Sequence, residues 1–318
     1  MLYRLFGDIN IVIIIELSNS LAFFITLFEY LRNLNGFIVV PRYYKTIIQD
    51  TEKYMDMSLQ DDDQKDIMLM RKYGHIIDKG LHRKDAEPGH SKNIYYLLKQ
   101  TIDRLSQKSI KGDPTYLWAK DKLYLYEQLQ QNPNTFVPLH GEPLIPVIDY
   151  NTLFSLIKQR RSNRDFENKT ITEETIVKLN TVVNWAANSC NKQPIKLFVT
   201  NNPQIAKECL KQCKGGTGFG DFIPSFWVFT ANCRGYVWPS EANLPFIDTS
   251  LGAQNVFLAA TTLGLSGTIL SWAQKNEDEE KKLRSILNIP SDYEIIFCSV
   301  LGYAKTTFST PNRKNVNS

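Results

Sequence analysis

Three guanidiniums and a hydroxyl fall within the five residues Arg160-Arg161-Ser162-Asn163-Arg164, and Asp165-Phe166 follow. Planar guanidinium forks match phosphate oxygens in paired hydrogen bonds, and a hydroxyl adds one more donor. The cluster closes a short apolar-periodic segment, Leu153, Phe154, Leu156 and Ile157. It reads as a socket for the phosphate of a bound cofactor; the alternative is a solvated basic turn.

Two further stretches could meet a ligand edge. Asn188-Ser189-Cys190-Asn191-Lys192-Gln193-Pro194 is a turn composition between an apolar-periodic helix and the strand Ile195 to Thr200. Such a turn can present amide side chains to a ring, or it is a simple loop. Gly267 to Trp272 forms a second candidate edge. Arg313 stands near the end of the chain, as a phosphate contact or a solvated tail residue. Gly215-Gly216-Thr217-Gly218-Phe219-Gly220 invites a phosphate-loop reading. It lacks the Gly-Lys-Ser/Thr ending, a preceding strand and a following helix, so it is expected to be a flexible close-approach loop. His75 and Lys79 sit where a helix is expected to end at Gly80, which makes them polar-face residues rather than ligand contacts.

Composition narrows the chemistry. Of 318 residues, 43% are hydrophobic and 22% charged, as in folded soluble proteins. The net charge of +4, with acids and bases interspersed, argues against a nucleic-acid partner. Five cysteines, an odd number, fit reduced thiols in a cytoplasmic setting better than a disulfide framework. The four histidines have no zinc-type spacing, so no metal site is expected.

The elements that must position these residues divide the chain. Residues 1–135 read as helical, with an apolar start over 1–40. Within it, Ile9 to Phe28 is interrupted by Glu16 and diluted by Asn10, Ser18, Asn19 and Ser20. A buried or interfacial helix is preferred there over a membrane span. Helices are expected after Asp61-Asp62-Asp63, over Asn93 to Leu105 and over Tyr116 to Leu129. Residues 136–150, with Pro138, Pro143, Pro146 and Gly141, read as a linker. From Asn151 the pattern is mixed. Thr172-Glu173-Glu174 caps a helix, and Asn202-Pro203 opens one carrying Cys209 and Cys213. Ser225 to Thr230 is a buried strand, and Asp248 caps a core helix running to Leu263. An amphipathic helix spans Glu277 to Leu287, and Glu294 to Tyr303 is the last strand.

The order of these features resembles the nitroreductase family of flavoproteins. An Arg-Arg-Ser-x-Arg-x-Phe cluster opens the domain. A turn, Ala186-Ala187-Asn188-Ser189-Cys190-Asn191-Lys192-Gln193-Pro194, follows about two dozen residues later. An Asp-led helix then ends in Gly264 to Thr268, Leu301-Gly302-Tyr303 ends a strand, and Arg313 closes the set. The resemblance covers about 150–316. It departs from the family pattern at Ala187, Asn188 and Ile195. The first half also resembles the helical extension of nitroreductase-like proteins in bacterial surface-polysaccharide gene sets.

The resemblance implies an α+β fold, a nitroreductase-like sheet flanked by helices over 151–318, preceded by a mostly helical extension. It implies FMN as cofactor. Arg160, Arg161, Ser162, Arg164 and Arg313 would hold its phosphate and ribityl chain. Asn188, Ser189, Asn191 and Gln193 would line the ring or ribityl edge, with Lys192 a candidate near N1. Ile269, Leu270, Ser271 and Trp272 would supply backbone donors near N5. The implied activity is that of an FMN-dependent oxidoreductase, passing a hydride from NAD(P)H, NADH or NADPH, through flavin N5 to a small organic acceptor. Family members are homodimers with flavin between subunits. The alternative is a non-catalytic flavin-binding scaffold or sensor linked to surface-polysaccharide biosynthesis. No obligatory acid–base side chain is expected, because the flavin carries the chemistry.

Overall fold

A computed structural model describes residues 62–139, 141–236, 239–272, 276–306 and 309–314. The apolar start at 9–28 lies outside the described residues. Among the described residues no helix is long and apolar enough to cross a membrane.

Helix α1 (Asp63–Leu81) begins where Asp62 accepts a hydrogen bond from the Lys65 amide at 2.8 Å. Asp63 and Asp66 then face the positive end of its dipole. Helices α2 (Lys92–Leu105) and α3 (Pro114–Gln131) follow it. The α3 start combines an Asp113 cap with Pro114, whose missing N–H would be unsatisfied there in any residue. Met70, Ile77, Leu81, Leu98, Ile102, Leu105, Tyr126 and Leu129 bury each other, so this region has a core of its own. Among the described residues of the 136–150 stretch none is in a helix or strand before Tyr150, and Leu144 and Val147 are fully exposed.

Helix α4 (Tyr150–Gln159) buries none of its residues. Helix α5 (Glu173–Val183) is capped by Thr172 and leads to strand β1 (Ile195–Thr200). Helix α6 (Pro203–Leu210), capped by Asn202, precedes β2 (Phe226–Asn232). Helix α7 (Leu244–Thr262), β3 (Leu265–Leu270), α8 (Glu277–Leu287) and β4 (Tyr293–Tyr303) follow. The fold is α+β: one antiparallel sheet in the order β1-β2-β4-β3, flanked by helices.

Period-2 alternation in the strands builds two layers of core. Phe226 and Val228 pack on one face with Cys209 and Leu210 of α6 and Leu283 of α8. Trp227 and Phe229 pack on the other with Leu179 and Val183 of α5 and Val256 and Phe257 of α7. One extra residue in β4 shifts the register between Phe229↔Phe297 and Thr230↔Ile295. Gly252 lets α7 touch α5: a Cβ there would lie 2.5 Å from Ile195 Cδ1 and 3.0 Å from the Val183 carbonyl oxygen.

Three expectations are corrected. Helix α7 starts at Leu244, with Pro245 in its first turn, and not at Asp248. The Asp248 carboxylate is buried and bonded to groups elsewhere in the fold, so it caps nothing. The same helix is not buried on all sides, since Phe246, Ile247 and Leu251 are exposed. Cys213 is not on the helix of Cys209, because α6 ends at Leu210 and the glycine-rich loop follows.

Candidate functional site

The arginine cluster begins where α4 stops. The Arg160 amide closes the last turn on the Leu156 carbonyl at 3.2 Å, and Arg160 itself leaves the helix in an extended conformation. Asn163 then anchors the strip. It is buried, its Nδ2 donates to the Asp165 carbonyl at 2.7 Å, and its own carbonyl accepts from Thr268 Oγ1 of β3 at 2.7 Å. Phe166, also buried, bridges to Ala304 beside β4. With Asn163 and Phe166 held inward, Ser162 and Arg164 face solvent. The Arg164 carbonyl accepts from the Gly220 amide at 3.0 Å, which seats the glycine-rich loop beside it.

Arg161 is engaged within the protein. Its guanidinium donates to the carbonyls of Lys158 and Arg160 and to Thr310 Oγ1 at 2.8 Å. That last bond ties the C-terminal segment to the cluster. Arg313 is thereby brought close enough to Arg160 to be felt: burial first, then Arg313 and Arg161, lower the Arg160 pKa from its ordinary value. Among the described residues no carboxylate forms an ion pair with Arg160, Arg164 or Arg313. The Asp165 carboxylate lies beside Gly220, where an added Cβ would stand 3.3 Å from its Oδ1. Cations that raise one another's energy without a counter-ion form an anion site by electrostatics.

An open cleft of about 440 Å³ adjoins the cluster, lined by Lys207, Lys211, Lys214 and the loop 215–220. Lys211 pairs with Glu208 at 2.6 Å and Lys214 with Glu279 at 2.8 Å, so two of its cations are already compensated.

At the exit of β3 the side chains alternate. Ile269 and Ser271 are exposed, and the segment bridges to Lys214 at Ser271. Leu270 and Trp272 lie in the core, and the buried Trp272 Nε1 meets no acceptor among the described residues. Only Ile269 and Ser271 therefore turn side chains outward beside the arginine strip.

The 188–194 turn is a separate, self-bonded unit. Cys190, Asn191 and Gln193 have φ values of 53°, 54° and 50°. Each non-glycine residue in this left-handed region costs about 1 kcal/mol, so the turn holds its shape only if its surroundings over-determine it. They do. Asn188 Oδ1 accepts from the Gln193 amide at 2.8 Å, and Asn188 Nδ2 donates to the Ala186 carbonyl at 3.1 Å. The Ser189 amide and hydroxyl both donate to Asp248 Oδ1, at 3.0 and 2.9 Å. Tyr236 donates to the other oxygen of Asp248 at 2.7 Å. Gln193 Nε2 donates to Asn191 Oδ1 at 3.2 Å, and both of these side chains are half-buried. Lys192 is buried completely. Its ammonium sits 2.5 Å from Glu241 Oε1 and 4.4 Å from the centre of the Tyr236 ring. Burial lowers its pKa and Glu241 opposes that shift. Lys192 is thus an internal tie rather than a surface cation.

The two groups of residues do not meet within one chain. The strip contacts β3 at Thr268, which is level with Val300, Phe226 and Thr200 across the sheet. The turn enters β1, at the other edge, from its far end at Ile195. Three strand spacings and five residue steps along the strand place them about 14 Å apart across the sheet and about 17 Å along it.

Asp248, Tyr236, Glu241 and the burial of Lys192 were not found from sequence. An acidic residue at the start of an apolar run looks like a helix cap whatever its true partners.

Residues 157–218 and 236–303 match the model of the nitroreductase family. This part of the chain is a nitroreductase-family domain. The matched stretches contain the arginine strip, the 188–194 turn and the exit of β3, while Arg313 and α1 to α3 lie outside them. A curated relative of the domain from Archaeoglobus fulgidus, provisionally named NADH dehydrogenase/NAD(P)H nitroreductase, is 28% identical over 154 residues. That alignment spans 47% of this chain and 84% of the relative. Among solved structures, a nitroreductase with bound FMN from Desulfitobacterium hafniense is 22% identical. It covers 54% of this chain and 97% of its own, with a TM-score of 0.42. An FMN-dependent nitroreductase from Clostridium difficile is 21% identical, covering 50% and 91%, with a TM-score of 0.43.

Proposed function

We propose that the protein is an FMN-dependent NAD(P)H oxidoreductase that works as a homodimer. The observation that carries this reading is the arginine corner: Arg313 and Arg161 stand close enough to Arg160 to lower its pKa, Arg164 lies exposed four residues on, and none of Arg160, Arg164 and Arg313 has a carboxylate partner among the described residues. Arg160, Ser162 and Arg164 would hold the FMN phosphate, with Arg313 beside them and Arg161 fixing the tail that carries Arg313. Ile269 and Ser271 would border the ribityl chain or ring. Asn191 and Gln193 would face the ring edge, while Asn188 and Ser189 keep the turn in shape. Bound there, FMN supplies two-electron redox chemistry at N5, between NAD(P)H and a small organic acceptor.

The separation of the turn from the strip favours a site shared by two chains, the strip from one and the turn from the other. An unpartnered apolar surface supports that assembly. Helix α4 exposes Tyr150, Leu153, Phe154 and Ile157, and α7, against which it packs, exposes Phe246, Ile247 and Leu251. Exposed apolar side chains concentrated on two packed helices favour an association surface there. In this reading residues 151–318 form the catalytic domain, 136–150 its linker and 1–135 an extension, all in the cytoplasm.

The test is direct. The purified protein, titrated with FMN, should bind it and lose its yellow colour within seconds of adding NADH or NADPH. Arg160→Ala with Arg164→Ala should weaken FMN binding by about 2–5 kcal/mol through lost charge-assisted bonds. A wild-type protein that takes up no FMN ends the reading. FMN uptake without reduction by either donor leaves the scaffold or sensor role instead.

A further inference from the structure

The helical extension does more than pack beside the nitroreductase-family domain. Helix α1 lies along the 188–194 turn and the segment that follows β2. Asp62 pairs with Arg234, which also reaches Asp292 at 3.1 Å. Asn232 Nδ2 donates to Gln64 Oε1 at 3.2 Å, and Met68 fills the space over Gly235, where a Cβ would lie 2.4 Å from its Cε. One helical turn further, Arg71 Nη1 reaches the Lys192 carbonyl at 3.4 Å. Lys72 Nζ lies 3.5 Å from Glu241 Oε1, the same oxygen that holds Lys192. Two successive residues of the extension therefore grip one residue of the turn, Arg71 at its carbonyl and Lys72 through the counter-ion of its side chain.

We infer that Arg71 and Lys72 are positioning residues that lock the 188–194 turn in the shape needed to meet a flavin. This rests on the function proposed above. The turn has a reason to need a lock, because three of its residues occupy the left-handed region without being glycine. Its other ties hold Ser189 to Asp248 and Gln193 to Asn188, while the Asn191 and Lys192 amides bond only to carbonyls of the turn itself, so the Lys192 carbonyl and ammonium are the points at which it is held from outside between those ends. Lys192 is where α1 acts. Fixing both the backbone oxygen and the ammonium of Lys192 fixes the direction of the peptides on either side, and hence of the Asn191 and Gln193 side chains. The extension then acts on cofactor seating without itself touching the cofactor.

Hydrogen exchange reads the lock without any flavin present. The amides of Ser189, Asn191, Lys192 and Gln193 are all hydrogen-bonded. In the full-length chain, Arg71→Met and Lys72→Gln should each speed deuterium uptake across 188–194 by roughly tenfold, with α1 still protected. Lys72→Arg should restore the wild-type rate. The same Arg71→Met and Lys72→Gln proteins should bind FMN about tenfold more weakly. Protection of α1 shows that each variant is folded, and Lys72→Gln carries the test if Arg71→Met does not fold. Unchanged uptake across the turn overturns the proposal, as does faster uptake with unchanged FMN affinity. A wild-type chain that binds FMN while the variants bind it equally well sinks this inference alone. A wild-type chain that binds none sinks the functional reading as well.

Discussion

Tyr236 and Asp248 face each other inside the protein, the phenol donating to carboxylate Oδ2 at 2.7 Å. Both are almost fully buried, and burial together with the neighbouring carboxylate drives the tyrosine pKa far above its ordinary value. The phenol therefore stays a donor at any working pH. It orients Asp248 so that Oδ1 can receive two bonds from Ser189.

Tyr236→Phe removes that donor and leaves a buried carboxylate oxygen unpartnered. The expected loss of stability is about 1–3 kcal/mol. It should appear as a lower urea midpoint with an unchanged slope, since the surface exposed on unfolding is the same.

Arg313→Gln should move two observables in opposite directions. Without ligand, removing a guanidinium near Arg160 relieves repulsion, worth no more than about 0.5 kcal/mol at this solvent-screened position. With FMN as ligand, a phosphate contact is lost and affinity falls about tenfold. Thermal melting with and without FMN should show the ligand-induced rise in Tm shrink while the ligand-free Tm holds or increases slightly. A variant that keeps the full rise takes Arg313 out of the phosphate site.

Gly252→Ala tests the α5–α7 contact. Alanine in a helix is favoured over glycine by about 1 kcal/mol. The new methyl would meet Ile195 Cδ1 at 2.5 Å and the Val183 carbonyl oxygen at 3.0 Å, and the backbone oxygen cannot rotate away. Overpacking costs about 1–3 kcal/mol, so the contact should win and the variant should be less stable. Chemical denaturation decides the sign.

His75 gives the extension a pH dependence. Burial, then the charge of Lys79, lowers its pKa below the ordinary 6.5. Between the folded and unfolded values the unfolded chain binds more protons, so stability rises with pH there. The contribution is complete above about pH 6.5 and is lost as pH falls through the folded value. His75→Gln should flatten the stability profile on the acidic side of pH 6.5. A profile identical to wild type would mean that His75 titrates alike in both states.

The parts of this fold that were legible in sequence are those decided locally. Asp62, Thr172 and Asn202 cap helices because a short acceptor at the right offset satisfies an orphan amide, and both can be read from adjacent residues. Strand β2 announced itself by an unbroken apolar run. The arginine cluster was visible for the same reason, three side chains of one type in one place. Long-range partners were not visible. Asp248 looked like a cap because Ser189, 59 residues away, and Tyr236, 12 away, carry no mark that they will reach it. Lys192 was expected as a candidate cation near flavin N1, because its true partner Glu241 lies 49 residues on and leaves no local mark. Cys209 and Cys213 have helical spacing, but the helix ends at Leu210, between them, with Lys211 as its cap. The strand order, which separates the strip from the turn, depends on pairings that leave no local pattern.

The placement of strip and turn at opposite edges of one sheet also bears on inheritance. In the proposed dimer each polypeptide would contribute a different half to each of two shared pockets. A chain crippled in its arginines and another crippled in its turn, both inert as pure populations, would on mixing yield hybrids with one pocket doubly damaged and its twin built wholly from sound halves. Two dead alleles could then sustain partial activity together, a rescue that a pocket contained within a single subunit does not permit.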